Sequence, residues 1–108
     1  MKGEKIFEKT IYEKIKRLRY FREKILLWLL KPPDYRKPAS CSVKMGFYGG
    51  MSYDLDNLIK QILDLLVDAD LINDDVSVCD IVATKHEISS YETEHFTIEI
   101  YKWTEAGA

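Results

Sequence analysis

Residues 53–78 read Tyr-Asp-Leu-Asp-Asn-Leu-Ile-Lys-Gln-Ile-Leu-Asp-Leu-Leu-Val-Asp-Ala-Asp-Leu-Ile-Asn-Asp-Asp-Val-Ser-Val. Leu55, Leu58, Ile59, Ile62, Leu65 and Leu66 recur at steps of three and four, and neither Gly nor Pro interrupts residues 51–75. That spacing predicts a helix with one apolar face turned to a core. After Asp75 the pattern changes: Val76, Val78, Ile81 and Val82, and later Phe96, Ile98 and Ile100, are β-rich and partly alternating, which predicts two strands. These two are expected to form a hairpin turning near Ser89 and Ser90. With a further strand over residues 41–48, the chain reads as a small mixed α/β (α+β) domain in which an acidic helix packs across a sheet.

The polar residues of the same stretch point to chemistry. Asp56, Lys60 and Asp64 stand at four-residue intervals, which stacks them along one side of the helix. Asp54 sits at or just before the cap, where an aspartate accepts hydrogen bonds from the free N–H groups of the first turn. Capping accounts for Asp54 alone. It leaves unexplained the second carboxylate at Asp56 and the pair Asp74 and Asp75, two like charges side by side whose mutual repulsion a cation would relieve. A calcium loop of the EF-hand type is excluded, because its fifth and sixth positions would fall on Leu58 and Ile59 instead of a ligand and a glycine. Magnesium fits better, since one or two carboxylates suffice and water and phosphate oxygens complete its octahedron.

These residues carry a resemblance. The opening Asp-Leu-Asp-Asn-Leu-Ile-Lys of residues 54–60, then Asp64 with Leu65 and Leu66, then Ile-Asn-Asp-Asp-Val-Ser-Val of residues 72–78 resemble the signature of RusA-type Holliday-junction resolvases. The likeness covers about residues 44–103. Members of that family are small homodimeric endonucleases that cut four-way DNA junctions with Mg²⁺, a cluster of aspartates and a nearby lysine. The resemblance implies catalytic roles for Asp54, Asp56, Asp75 and Lys60, with Asp54, Asp56 and Asp75 as metal ligands. It also implies Mg²⁺ as cofactor, with Mn²⁺ as a substitute, branched DNA as partner and a homodimer as the working form. Asn57 is a candidate for holding a metal-bound water or the phosphate; Asp74 and Asp64 are candidates for supporting roles. Relatives usually begin with a strand before the first long helix, whereas the helical pattern here is expected from about Lys5. No residue before Lys44 is assigned a DNA contact.

Composition independently bounds the fold. The 108 residues are 46% hydrophobic and 31% charged, enough for one modest core in a single domain spanning 1–108. The net charge of −2 hides an asymmetry: residues 1–50 carry +8 and residues 51–108 carry −10. An acidic metal site acting on a polyanion needs such a basic surface beside it. Most of the positive charge falls on a helix expected over residues 5–30. Its stripe is Phe7, Ile11, Ile15, Leu18, Phe21, Ile25, Leu26 and Leu29, with Lys14, Lys16, Arg17, Arg19, Arg22 and Lys24 filling the remainder. That basic face is read as a solvated face first, as a DNA-contacting face second. Ile11, Leu18 and Ile25, with Phe21 and Trp28, repeat every seven residues and suit either core or a dimer seam. The longest apolar run, residues 25–30, is far below the ~18 residues of a membrane span, and residues 1–5 lack a signal-peptide pattern. A cytoplasmic, nucleoid-associated protein without a membrane partner is expected.

Residues 31–40, opening on Pro32 and Pro33, read as a connecting loop. Gly49 and Gly50 read first as a turn, because the spacing and the Lys-Ser or Lys-Thr of a phosphate-binding loop are absent. Cys41 and Cys79 fall on separate strands and read as buried reduced thiols. His86 and His95 stand without Cys or Glu at ligand spacing, and Phe96, Tyr91, Tyr101 and Trp103 read first as core. The Glu-x-Lys signature of restriction-type nucleases is absent, since no Asp or Glu stands two residues before any lysine. Two alternatives to junction resolution remain: a non-catalytic branched-DNA-binding or interaction protein, and a flap or single-strand nuclease on the same fold.

Overall fold

The computed structural model describes residues 1–20 and 22–104. Along them run β1 (Lys2–Ile11), α1 (Arg17–Tyr20), α2 (Arg22–Trp28), β2 (Cys41–Tyr48), α3 (Leu55–Asp68), a 3-10 turn (Asp75–Ser77), β3 (Val78–His86) and β4 (His95–Trp103). The strands form one mixed sheet in the order β1-β4-β2-β3. β4 is antiparallel to both β1 and β2, whereas β2 and β3 are parallel. Parallel neighbours need a long crossover connection, and α3 supplies it.

Alternation along β2 and β4 decides which face is covered. Val43 lies opposite Ile100, Met45 opposite Ile98 and Phe47 opposite Phe96, and all six are fully buried. Leu58, Ile62, Leu65 and Leu66 of α3 belong to the same buried cluster, so the helix lies on this face of the sheet, as its spacing predicted. Asp56, Lys60 and Asp64 are all exposed on its other side. The opposite face of the sheet carries Lys44, Tyr48, His95 and Glu99. Among the described residues no helix is long and apolar enough to cross a membrane.

Two expectations are corrected and a third, left open between two alternatives, is decided. The first concerns residues 5–30, which do not form one long helix: β1 occupies Lys2–Ile11 and pairs with β4. A spacing of four places Phe7 and Ile11 on one side of a helix, but four is also an even number, so the same two residues share one face of a strand. Phe7 and Ile11 indeed both reach the core. The initial strand that the resemblance implies is therefore present, and helix begins only at Arg17. The second correction concerns the hairpin: β3 and β4 do not pair with each other but flank β2 on either side. The crossover through α3 seats β3 beside β2, so the chain must pass the end of β2 before β4 can enter on its other edge. The third concerns the heptad positions Ile11, Leu18 and Ile25, which are at most 2% exposed within one copy of the chain. They are core and unavailable as a dimer seam. Trp28 packs half-buried against the same core, and Phe21 lies outside the described residues.

The smaller readings divide similarly. Both cysteines are free, Cys41 buried and Cys79 exposed; burial pushes the Cys41 thiol above its ordinary pKa. Phe96 is core, while Tyr91 is almost wholly exposed.

α3 ends in a Schellman motif. Asp70 takes a left-handed conformation (φ 61°), its N–H donates to the Val67 carbonyl at 3.0 Å, and the Leu71 N–H donates to the Leu66 carbonyl at 2.9 Å. Lys31 and Lys37 from the loop after α2 each approach Asp70 at 2.7 Å. Hydrogen bonds first to Lys31 and then to Lys37 hold the Asp70 carboxyl at about 2, below its ordinary 3.8. A pKa depressed on folding stabilises the fold above the unfolded value and loses that contribution as pH falls.

Two outcomes are expected. Ile62→Ala, at a fully buried position, should lower unfolding free energy by about 2–5 kcal/mol in urea titration. The stability gap between the native chain and Asp70→Asn should close as pH falls from about 4 to 2 in the same measurement; a gap independent of pH would refute the ion-pair assignment.

Candidate functional site

The loop from Gly49 to the first turn of α3 is built by close approach. Gly49 and Gly50 both have positive φ (106° and 61°), a conformation open to glycine at little cost. A Cβ on Gly50 would lie 2.8 Å from the Cβ of Ile15, so glycine there lets the loop pack directly on the connection between β1 and α1. β3 pins the same loop from the other side. Lys85 Nζ donates to the carbonyls of Met51 (3.2 Å) and Tyr53 (2.9 Å), and the Gly49 N–H donates to the His86 carbonyl (2.9 Å).

This loop delivers Asp54 to the N-cap of α3. Its backbone is extended and its Oδ1 accepts from the Asp56 N–H at 3.2 Å, which satisfies one of the free donors of the first turn. Asp54, Asp56, Asn57 and Lys60 are all exposed. The N-terminal end of the helix dipole favours the carboxylates and equally favours an incoming phosphate.

Ion pairing divides the charged residues into two groups. Arg17 meets Glu13 at 2.7 Å, Arg22 pairs with Asp68, and Lys5 meets Glu8 at 2.8 Å; with the Asp70 pairs these are charges engaged within the fold. Asp54, Asp56, Lys60 and Asp75 form no ion pair among the described residues. Their side chains are exposed to solvent.

Asp74 and Asp75 differ in what they do. Asp74 caps the 3-10 turn: its Oδ1 accepts from the Ser77 N–H at 3.0 Å, and the Ser77 hydroxyl donates to its carbonyl at 2.6 Å. Asp75 is exposed and its side chain makes no hydrogen bond in the described structure. The pair stands at the far end of α3. Asp54 follows the C-terminal end of β2, whereas Asp75 precedes Val78, which pairs with Cys41 at the start of β2. Fourteen helical residues separate the two ends, a rise of about 20 Å. Arg22, Asp64, Asp68, Asp74 and Asp75 line a shallow groove of about 390 Å³ there.

The fit to a divalent cation follows from this. Asp54 and Asp56 present adjacent hard oxygen donors in solvent, the sparse donor set that Mg²⁺ accepts. Asp75 does not converge on them within one copy, and the described residues contain no group of three or more His, Cys, Asp or Glu placed to hold a metal ion.

Sequence reading missed a row of rings on the uncovered sheet face. Tyr12, His95, Tyr48 and His86 stack in the order of the strands, with centroids 5.2, 4.4 and 4.5 Å apart. His86 Nε2 lies 2.8 Å from the Thr84 hydroxyl and His95 Nδ1 lies 2.9 Å from the Thr93 carbonyl. The available signal was register: once β2 sits between β4 and β3, Tyr48 pairs with both His95 and His86. Also missed was Tyr20, which shares a cavity with Asp54 and with Lys16 of the basic face.

The cap and charge of Asp54 are separable by mutation. Asp54→Ala should destabilise the protein by about 1 kcal/mol, while Asp54→Asn, which keeps the acceptor oxygen, should stay within about 0.5 kcal/mol in urea unfolding; equal losses would refute the capping role.

A protein-family model described as endodeoxyribonuclease RusA matches residues 9–101 of the chain. The match begins within β1 and ends within β4. No curated protein matches the chain.

Proposed function

Because the chain belongs to the endodeoxyribonuclease RusA family, we propose that it resolves four-way (Holliday) DNA junctions by paired phosphodiester hydrolysis, with Mg²⁺ as cofactor and Mn²⁺ as a substitute. The observation that carries this reading is the first turn of α3, where Asp54, Asp56 and Lys60 are exposed and free of ion pairs among the described residues. Ion pairs account for Asp68 and Asp70 and the helix cap for Asp54; among the described residues no such contact accounts for Asp56 or Lys60.

In this reading Asp54 and Asp56 hold the cation, which when bound activates water and stabilises charge on the leaving oxygen. Lys60, one helical turn beyond Asp56, presents its ammonium to the phosphate and stabilises the charge that builds up there. The amide of Asn57 orients the phosphate or a water beside it. The helix N-terminus adds partial positive charge at the same place. Asp64 lies further along the same side of α3 and Asp74 is engaged as a cap, so both have supporting roles at most.

The role of Asp75 bears on assembly. With about 20 Å of helix between Asp54 and Asp75, a shared cation requires a second copy of the chain. A homodimer also suits the substrate, whose two symmetric strands need two sites related by a two-fold axis. The second reading, a branched-DNA-binding protein without catalysis, draws on the lack of a converged three-ligand group among the described residues of one copy.

Cleavage of a synthetic four-way junction in Mg²⁺, beside linear duplex and flap controls, separates these readings. Paired, symmetric cuts on the junction are expected, abolished by EDTA. Asp56→Asn, Lys60→Ala and Asp75→Asn should each lower the rate at least about 100-fold, the scale lost with a single transition-state-stabilising group. Junction binding without any cut would establish the binding module, and preferential cutting of flaps would redirect the substrate.

A further inference from the structure

Beside Asp54, the connection between β1 and α1 and the first turns of α3 enclose a cavity of about 150 Å³, roughly five water volumes and too small for a duplex. Lys16, Tyr20, Tyr53, Asn57 and Gln61 line it. Folding does not account for these side chains. Tyr20 is 75% exposed and Tyr53 40%. Lys16 has no ion pair, and the amides of Asn57 and Gln61 make no hydrogen bond, in the described structure. The two walls are nonetheless fixed. Gly50 packs against Ile15, and the Ile15 N–H donates to Glu94 Oε1 at 2.9 Å, which holds the turn that presents Lys16.

We propose that this cavity takes the base of one unstacked nucleotide of the cleaved strand, with its sugar and phosphate left outside next to the scissile phosphate. The inference rests on the nuclease reading of Asp54 and names the part of the substrate that the site takes. Tyr20 and Tyr53 offer ring surface for the base, as aromatic platforms do for single strands. Asn57 and Gln61 each carry both donor and acceptor and satisfy the edge of any base. Lys16 meets the adjoining phosphate as a point charge. A base can enter only once it is unpaired; the pairs that flank a branch point have lost stacking on one side and open at lower cost than pairs inside an intact duplex.

The test uses the full chain in EDTA with three fluorescent DNAs: a single-stranded octanucleotide and a four-way junction, each carrying 2-aminopurine (at the branch point in the junction), and a linear duplex. The protein should quench 2-aminopurine in the first two. Tyr20→Ala and Tyr53→Ala should each weaken single-strand and junction binding about tenfold and abolish the quenching, while duplex binding stays unchanged. Lys16→Met should lower the slope of log K against log salt on single strands by about 0.7, the loss of one phosphate contact. Unchanged affinity and fluorescence in the tyrosine variants would overturn the proposal, as would an equal loss on all three DNAs, which marks general backbone contact. Junction cleavage in Mg²⁺, run in parallel, keeps the two readings apart. Quenching with the expected mutant pattern but no cleavage refutes the nuclease reading and supports the subsite; cleavage without that pattern refutes the subsite alone.

Discussion

The packing of the apolar face of α3 onto β2 and β4 is the interaction on which the rest of the structure depends. Leu58, Ile62, Leu65 and Leu66 are withdrawn from water against Val43, Met45, Phe47 and their β4 partners. At about 1.5–3 kcal/mol for each fully buried aliphatic side chain, four such residues contribute a gross term comparable with the whole net stability of a small domain. The same packing is a geometric constraint. It runs α3 back along β2 as the crossover to a parallel β3, so the cap of α3 stands beyond the C-terminal end of β2 and the Asp74–Asp75 turn near its N-terminal end. Positions of every acidic group follow from that path.

Much of this was legible in the residues. α3 was readable because six apolar residues at helical steps, without Gly or Pro, admit no strand reading over fourteen residues. The cap at Asp54 was readable because aspartate before such a run has a physical task. β1 was not, because Phe7 and Ile11 satisfy both periods, and the even spacing that favours a strand was hidden by continuation of the pattern into Ile15 and Leu18. What broke the tie is tertiary: β4 offers β1 an open edge, and pairing there outweighs weak local preference. The pairing of β2 with both β3 and β4 was hidden for the same reason, since strand order is fixed by the crossover and no local signal reports it. Tyr48 between two histidines, and Lys16 beside Asp54, are consequences of that order.

Charge is distributed with the same economy. Cations of the N-terminal half largely tie elements to one another, Arg22 to the end of α3 and Lys31 with Lys37 to the helix-terminating Asp70. Among the described residues the charges at the start of α3 are left without such partners, beside a helix end that favours anions and a loop pinned by Lys85. An arrangement of this kind is suited to a cation and a phosphate together. The acidic turn at the other end of α3 divides its two carboxylates, with Asp74 engaged as a cap and Asp75 exposed.

The central claim is that the first turn of α3 is a divalent-cation site. Paramagnetic broadening of backbone amide signals by substoichiometric Mn²⁺ tests it most directly. The account predicts broadening centred on residues 54–60, relieved by excess Mg²⁺ and lost in Asp56→Asn. Broadening confined to other carboxylates, or none at residues 54–60 at any Mn²⁺ concentration, would contradict it.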